Sequence, residues 1–351
     1  MRARVAMSGG VDSSVAAALM REQGHDVIGV TLKLWSGPNG EAPTAGCCTV
    51  SDAEDARRVA AAIDIPYYVL DYTEEFREGV VDRFVEGYVT GRTPNPCIEC
   101  NRTVKFDRLL RGLGQFDCDL LVTGHHARIR RGGGGWELHR GADRAKDQSY
   151  VLSMLTQREL VLTRFPVGEM TKQSVRAMAR DMGLRTADKP ESMEICFVGQ
   201  GDYRGFIGRL APAAFVPGPL VDNAGTEVGS HQGIAGFTVG QRRGLGVAVG
   251  EPRYVIDIQP ATSTVVIGSR DQLGVASIEL TDLTSTMGGD LDGSVVAQYR
   301  AHGDAVAATL SGSTLVFDHP QTAVAPGQTI AFYHRDRVMG GAIIDSTHRA
   351  V

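Results

Sequence analysis

Arg4-Val5-Ala6-Met7-Ser8-Gly9-Gly10-Val11-Asp12-Ser13-Ser14 is the stretch whose reading decides the fold. An apolar run, Arg4–Met7, ends in Ser-Gly-Gly. A helical pattern from Asp12 to Gln23 follows at once and stops at Gly24. The two glycines let the backbone turn tightly and approach a ligand. The helix start offers unpaired N–H groups and the positive end of a dipole. An anion is therefore expected there. No Gly-Lys-Ser/Thr follows, so this is not a lysine-gripped Walker loop, and it is not G-x-G-x-x-G. A glycine-rich turn capped by Asp12 is the plain structural alternative.

Outward from this loop, strand and helix signals alternate. Val27–Leu34 is β-branched and apolar, a strand. Ser51-Asp52-Ala53-Glu54 reads as a capping box opening an Ala-rich helix to about Ile63. Ile65–Leu70 is a strand. Thr73–Thr90 is a helix with Phe76, Val80, Phe84 and Tyr88 on one stripe. Thr103–Leu113 is a helix and Leu120–Thr123 a strand. This order implies a parallel sheet covered by helices on both faces, with ligands beyond the carboxyl ends of its strands. Two more helices are expected at Thr156–Leu162 and Thr171–Gly183. Beyond about Phe215 helix signals vanish. Short Val/Ile/Thr runs such as Arg253–Ile258, Thr264–Ile267, Ser294–Tyr299, Ala305–Leu310 and Thr329–Tyr333 predict a small barrel or two.

Composition narrows the class. At 351 residues the chain exceeds one core of about 100–200 residues, so two or three domains are expected. Hydrophobic residues at 42% and charged residues at 22% exclude wholesale disorder. No run of about 18 apolar residues exists, so no membrane span is expected. The start, MRARVAMSGG, is too short an apolar stretch for a signal peptide, which points to the cytosol. A net charge of −5 excludes a uniformly basic nucleic-acid binder but not a local basic face. From Ser51 to Tyr88, ten acidic residues outweigh four arginines. From His125 to Lys146, five arginines and one lysine outweigh Glu137 and Asp143, around a glycine run at Gly132–Gly135. That basic segment reads as a solvated face or as a mobile arm for a phosphate backbone.

Six cysteines are too few for a disulfide scaffold. Thr93-Pro94-Asn95-Pro96-Cys97-Ile98-Glu99-Cys100-Asn101 reads as a proline-studded loop running into a helix. Cys97 and Cys100 then lie near a helix start, beside Arg92, Arg102 and Lys105, and both features favour thiolate. A lone CxxC fits half a metal site, a dithiol pair or coincidence, and without a second CxxC a four-cysteine zinc site is disfavoured. Cys196, between Ile195 and Phe197, is either a third member or a core residue. Cys47 and Cys48, adjacent in the chain, cannot easily bridge each other, and Cys118 reads as structural.

SGGVDSS (8–14) resembles the pyrophosphate-binding loop, or PP-loop, of ATP pyrophosphatases. Those enzymes cleave ATP between the α and β phosphates and adenylate a substrate oxygen. GRTPNPCIECN (91–101), TGHHA (123–127), KDQSY (146–150), EICFVG (194–199), TVGQRRGLG (238–246) and a PGQ…FY segment (326–333) follow in order. Together they resemble the bacterial tRNA 2-thiouridylase family from residue 5 to residue 345. The resemblance implies an α/β fold: a parallel-sheet catalytic domain of the adenine nucleotide alpha-hydrolase kind (1–204), a small central β-rich domain (205–272) and a C-terminal β-barrel (273–351). It implies a cytoplasmic enzyme, monomeric when free, that replaces O2 of the wobble uridine in tRNAs for Lys, Glu and Gln with sulfur.

The resemblance also implies the site. ATP would sit on Ala6, Met7, Ser8, Gly9, Gly10, Val11, Asp12 and Ser13, with Leu32 and Gly124 flanking the adenosine and Mg²⁺ on the phosphates. Asp12, Cys100 as nucleophile and Cys196 as persulfide carrier would be catalytic. Asn95, Pro96 and Cys97 would line the base pocket. His125, Lys146, Asp147, Gln148, Tyr299, Arg300 and Gln328 would contact tRNA, and a cysteine desulfurase or persulfide carrier would donate sulfur. One departure stands out: many members carry Asp where this chain has Cys97. Other PP-loop tRNA-thiolating enzymes hold a 4Fe–4S cluster on three cysteines, a role open to Cys97, Cys100 and Cys196. Two further readings share the loop alone. One is a PP-loop synthetase adenylating a small molecule. The other is a non-catalytic nucleotide-binding module with a barrel. The three cysteines argue against both.

Overall fold

Strands β1 (Arg2–Ala6), β2 (Asp26–Lys33), β3 (Tyr67–Asp71) and β4 (Leu120–Val122) pair in parallel in the order β3-β2-β1-β4. The computed structural model describes residues 1–37, 49–191, 195–247 and 250–350, so Cys47, Cys48 and Glu194 lie outside the described residues. Helix α1 (Val11–Glu22) follows the glycine loop as expected. Helix α2 (Val50–Ala62) is capped earlier than the Ser51 signal suggests. Thr49 Oγ1 accepts from Asp52 N (3.1 Å), and the Asp52 carboxylate accepts from Thr49 N (3.0 Å). Glu54 instead binds Arg57 and Arg58, one turn on.

Two later helices differ from expectation. The rod of residues 73–89 holds a π-helical turn at Arg77–Asp82. The rod of residues 96–111 begins at Pro96, not Thr103, and winds through a second π turn at Cys100–Phe106. Pro96 at the first helical position and Asn95 as cap explain the early start: the Asn95 side chain accepts from Cys97 N (3.1 Å). The cysteine pair therefore lies inside the helix. The stripe Phe76, Val80, Phe84 and Tyr88 packs as predicted, into a core shared with Phe106, Phe197 and Phe206. Each fully buried ring there stabilises the fold by about 1.5–3 kcal/mol. A helix at Tyr203–Leu210, capped by Asp202, has no counterpart in the sequence reading.

The basic segment after β4 is not a mobile arm. It is a hairpin, β5 (Ala127–Gly132) and β6 (Gly135–Arg140), turned by the glycine run. Ile129 and Leu138 face inward between charged neighbours, an alternation that predicts strand. Strand β7 (Thr163–Arg164) then completes the parallel sheet beside β4. A second sheet, β8 (Gly218–Val221), β9 (Glu227–His231), β10 (Tyr254–Gln259) and β11 (Thr264–Gly268), runs in the order β10-β11-β8-β9. The barrel comprises β12 (Val275–Ser285), β13 (Gly293–Gln298), β14 (Val306–Ser311), β15 (Thr314–Gln321), β16 (Thr329–His334) and β17 (Arg337–Arg349). They run in the order β12-β15-β14-β13-β16-β17, closed by pairing of β12 with β17. The hairpin joins this barrel, His139 of β6 pairing with Arg337 of β17.

That junction is polar and buried. Tyr333 is fully buried, its hydroxyl 3.2 Å from Ser149 Oγ and its ring 3.6 Å beneath the Arg140 guanidinium. Burial, only partly offset by Arg140, pushes the Tyr333 phenol up to about 12. A phenol whose folded value is raised stabilises the fold fully below its unfolded value of about 10. That stability is lost as pH rises toward 12. Tyr333→Phe should thus cost about 1 kcal/mol at pH 8, through the lost hydrogen bond. The deficit should shrink or reverse by pH 11, where wild type alone must keep a buried phenol protonated. Urea melts at the two pH values test this, and a deficit constant with pH would refute it.

Candidate active site

The glycine loop opens onto a cavity of about 200 Å³ at the carboxyl end of the parallel sheet. Ala6, Met7, Ser8, Asp12, Ser13, Leu32 and Gly124 line it, while Gly9, Gly10 and Val11 shape the turn behind it. Gly9 has φ +72°, and a Cβ there would run into the Asp52 backbone. The loop is braced from within: Ser8 N donates to Ser13 Oγ (3.2 Å), and Ser13 Oγ donates to Gly10 O (3.1 Å). Gly124 lies on the start of α1, where a Cβ would approach Ser13 N to 2.5 Å. The α1 N-terminus, the loop and residues 123–126 thus form one wall suited to phosphate.

Asp12 is the charged centre of this wall. His126 Nε2 lies 3.1 Å from one carboxylate oxygen, and Lys172 Nζ lies 2.6 Å from the other. Burial pushes the Asp12 carboxyl up, but the His126 hydrogen bond and Lys172 outweigh it and hold it below its ordinary value. Lys172 also reaches Glu191 (3.2 Å), which pairs with Lys146 (2.7 Å). His126, Lys172 and Glu191 were not legible as site residues, because the links that tie them to Asp12 and Lys146 span 114, 160 and 45 positions of the chain. The second histidine of TGHHA was the one available signal. His125, the first, lines the cavity with Lys105 and Gln148. Its Nδ1 lies 2.7 Å from Thr123 Oγ1, and burial with the nearby Lys105 lowers its ring to about 3, so it is neutral at physiological pH.

The cysteines divide by burial. Cys97 is exposed, Cys100 is buried at the first residue of the π turn, and Cys196 is half-buried. Such turns recur at functional sites. Cys100 belongs to the apolar cluster of the rod 73–89, and Cys196 packs against the same cluster, 96 positions away. Phe197 holds that segment down, its ring 5.6 Å from Phe76 and 5.3 Å from Phe84. Asn101, next to Cys100, is buried, with Oδ1 lacking a hydrogen-bond donor. Of the cations expected beside the pair, Arg92 also pairs with Asp345, and Arg102 with Glu99 and Asp282. Among the described residues no three His, Cys, Asp or Glu side chains converge as a metal site. Cys97, Cys100 and Cys196 do not form such a group in this arrangement.

Comparison with known proteins carries the identification. Residues 1–200 match the family described as tRNA methyl transferase HUP domain, 204–269 its PRC-barrel domain, and 270–344 an aminomethyltransferase beta-barrel domain. The chain is 47% identical to the tRNA-specific 2-thiouridylase MnmA of Herpetosiphon aurantiacus, covering 98% of both chains. It is 48% identical to that of Acidothermus cellulolyticus, covering 100% of this chain and 99% of the relative. The chain belongs to the tRNA-specific 2-thiouridylase (MnmA) family. Membership makes it a tRNA-uridine 2-sulfurtransferase.

The residues that the 2-thiouridylase pattern assigns to tRNA are scattered here over several structural roles. Asp147 accepts from Arg140 (2.8 Å), Gly141 N and Ser149 N, so it organises the turn that follows the hairpin. Gln148 accepts from His126 N (2.9 Å) and faces the nucleotide cavity. Pro96 is buried in the first turn that Asn95 caps. Lys146 is tied to Glu191. Tyr299 is buried on the barrel, with the Arg300 guanidinium 5.2 Å over its ring, and Gln328 shares a second cleft with Arg300. Most of the basic segment's arginines are paired: Arg128 with Glu169 and Asp336, Arg130 with Glu169, Arg140 with Asp147 and Arg144 with Asp336. No helix among the described residues is long and apolar enough to cross a membrane.

Proposed function

We propose that this chain thiolates the wobble uridine of tRNAs for Lys, Glu and Gln in the cytoplasm, using ATP and a persulfide donated by a cysteine desulfurase or persulfide carrier. The observation that carries this reading is the pairing of an anion-binding loop centred on Asp12 with two cysteines on one apolar cluster. Triphosphate would lie against Ser8–Ser13 and the α1 N-terminus. One carboxylate at the loop, together with phosphate oxygens and water, suits Mg²⁺, which when bound would neutralise the phosphates. Lys105, which lines the cavity, and Lys172, shared between Asp12 and Glu191, would be the cations for the leaving pyrophosphate.

The uridine must be unstacked to be reached. Its O2 attacks the α-phosphorus and pyrophosphate leaves, so that AMP replaces a poor leaving group at C2. The terminal sulfur of the Cys196 persulfide attacks C2 and expels AMP. The Cys100 thiolate then attacks Cys196 Sγ, releasing 2-thiouridine and forming a Cys100–Cys196 disulfide, which a thiol reductant resets. That last step needs the two Cα atoms to come within about 4.4–6.8 Å.

The test is in vitro thiolation with tRNA, ATP and a persulfide donor, read by nucleoside mass spectrometry and AMP release. AMP formation without tRNA would favour a small-molecule synthetase instead. Cys97→Asp separates the two sulfur routes. In the persulfide relay it should keep at least about half of wild-type activity, because Cys97 is exposed and outside the exchange. Complete loss, with about four irons per chain after anaerobic purification of wild type, would restore the cluster.

A further inference from the structure

Glu191 lies outside the glycine loop and outside every motif of the sequence reading, yet its carboxylate bridges two ammonium groups. Oε1 is 3.2 Å from Lys172 Nζ, and Oε2 is 2.7 Å from Lys146 Nζ. Lys172 Nζ is in turn 2.6 Å from Asp12, which lines the nucleotide cavity. Asp12, Lys172, Glu191 and Lys146 thus alternate in charge along one chain of contacts. Lys172 is its most buried member, with a side chain 12% exposed, and Lys146 its most open, at 39%. We infer that Glu191 is a positioning residue for ATP cleavage, which keeps Lys172 from closing on Asp12 alone, and that Lys146 cancels the charge of Glu191 toward the triphosphate. The inference rests on the reading of the glycine loop as an ATP site.

The surrounding fold supports both members of the central pair. Lys172 is the first residue of the helix Lys172–Asp181, which Thr171 caps. A cation there faces the positive end of the helix dipole, so the helix itself gains nothing from it. The neighbours compensate: Asp12 and Glu191 take its ammonium, and Asp143 accepts from its backbone N (2.9 Å). Glu191 is anchored two residues earlier. Lys189 Nζ binds Asp52 (2.7 Å) and Asp55 (2.6 Å) of α2, and Arg176 Nη2 donates to Lys189 O (3.0 Å). Arg176 belongs to the helix that carries Lys172, and the Asp52 backbone lies against Gly9. The loop, α2 and residues 189–191 therefore share one frame.

Sharing the ammonium has a chemical consequence. Lys172 has three N–H donors and no acceptor. Asp12 takes one and Glu191 another, which leaves the third for a phosphate oxygen. Held by Asp12 alone, Lys172 would form a closed neutral pair with the loop carboxylate, and both charges would be engaged before ATP arrives. A Glu191 without a counter-charge would have the opposite fault, because it would repel the triphosphate. Lys146 removes that repulsion from the solvent side.

The experiment measures the Kd for ATP by calorimetry without tRNA, and tRNA-dependent pyrophosphate release at saturating ATP and tRNA. Glu191 is half-buried, so the near-isosteric Glu191→Gln should fold. It should lower kcat about tenfold or more, as for outer partners that orient metal ligands. It should not weaken ATP binding, because removing a negative charge does not repel a polyanion. Lys146→Gln should weaken ATP binding about fivefold, the low end of measured coupling between sites. Beside Glu191→Gln the same change should cost less than about twofold, since no carboxylate is left to neutralise. A Glu191→Gln with wild-type kcat, or a Lys146→Gln effect equal in the two backgrounds, overturns the inference. A parallel loss of ATP binding, turnover and melting temperature in Glu191→Gln also overturns it, by showing a structural role. If wild type itself binds no ATP, the reading of the loop fails first and the inference falls with it.

Discussion

Cys196→Ser should reduce 2-thiouridine formation to background while tRNA-dependent AMP release continues. Serine has nearly the volume of cysteine, and Cys196 packs only at the edge of the apolar cluster, so the fold should survive. A hydroxyl cannot carry a persulfide, whereas adenylation depends on the loop at the other end of the Asp12 network. Without attacking sulfur the activated uridine returns to uridine by hydrolysis. Cys100→Ser should differ in kind. The persulfide still attacks, but nothing cleaves Cys196 from the base, so tRNA remains tethered through a reducible bond. Non-reducing electrophoresis of the two variants with ATP and donor distinguishes them. A tRNA adduct with Cys196→Ser, or none with Cys100→Ser, would reverse the roles.

Asp12→Ala should cut pyrophosphate release by about a hundred- to a thousand-fold, the range for removing one preorganised hydrogen-bonding group from a reacting centre. The carboxylate orients His126 and Lys172 together. Its loss leaves Lys172 with Glu191 as its one remaining carboxylate partner among the described residues and His126 without its carboxylate. Asp12→Asn keeps a hydrogen-bond acceptor for His126 but loses the charge, and should be nearly as slow. A folded Asp12→Ala with normal tRNA-dependent AMP formation would sink the PP-loop assignment. The pH dependence has a definite sign. Because the Asp12 carboxyl is held below its ordinary value despite burial, it stays ionised down through pH 5. Its contribution to stability is present above about 4 and is lost only as pH falls through the lower folded value. No acid limb between pH 5 and 8 should come from Asp12.

Sequence alone determined the loop, the parallel α/β order, the barrel and the motifs that mark the family. Each is a local signal. Glycines at Gly9 and Gly10, the β-branched run in β2 and the stripe Phe76–Tyr88 act over a few residues, where propensity and periodicity speak directly. Tertiary structure decided what those residues do. Which cation holds Asp12, whether Arg128 is free for RNA, and that Cys100 and Cys196 share one cluster depend on partners brought together across the chain. The hairpin 127–140 shows why. Its positive charge was plain in the sequence, but Glu169 and Asp336, which pair with Arg128 and Arg130, arrive from β7's flank and the barrel. An ion pair is set by distance in space, and distance in space between remote residues is fixed only once the sheets close.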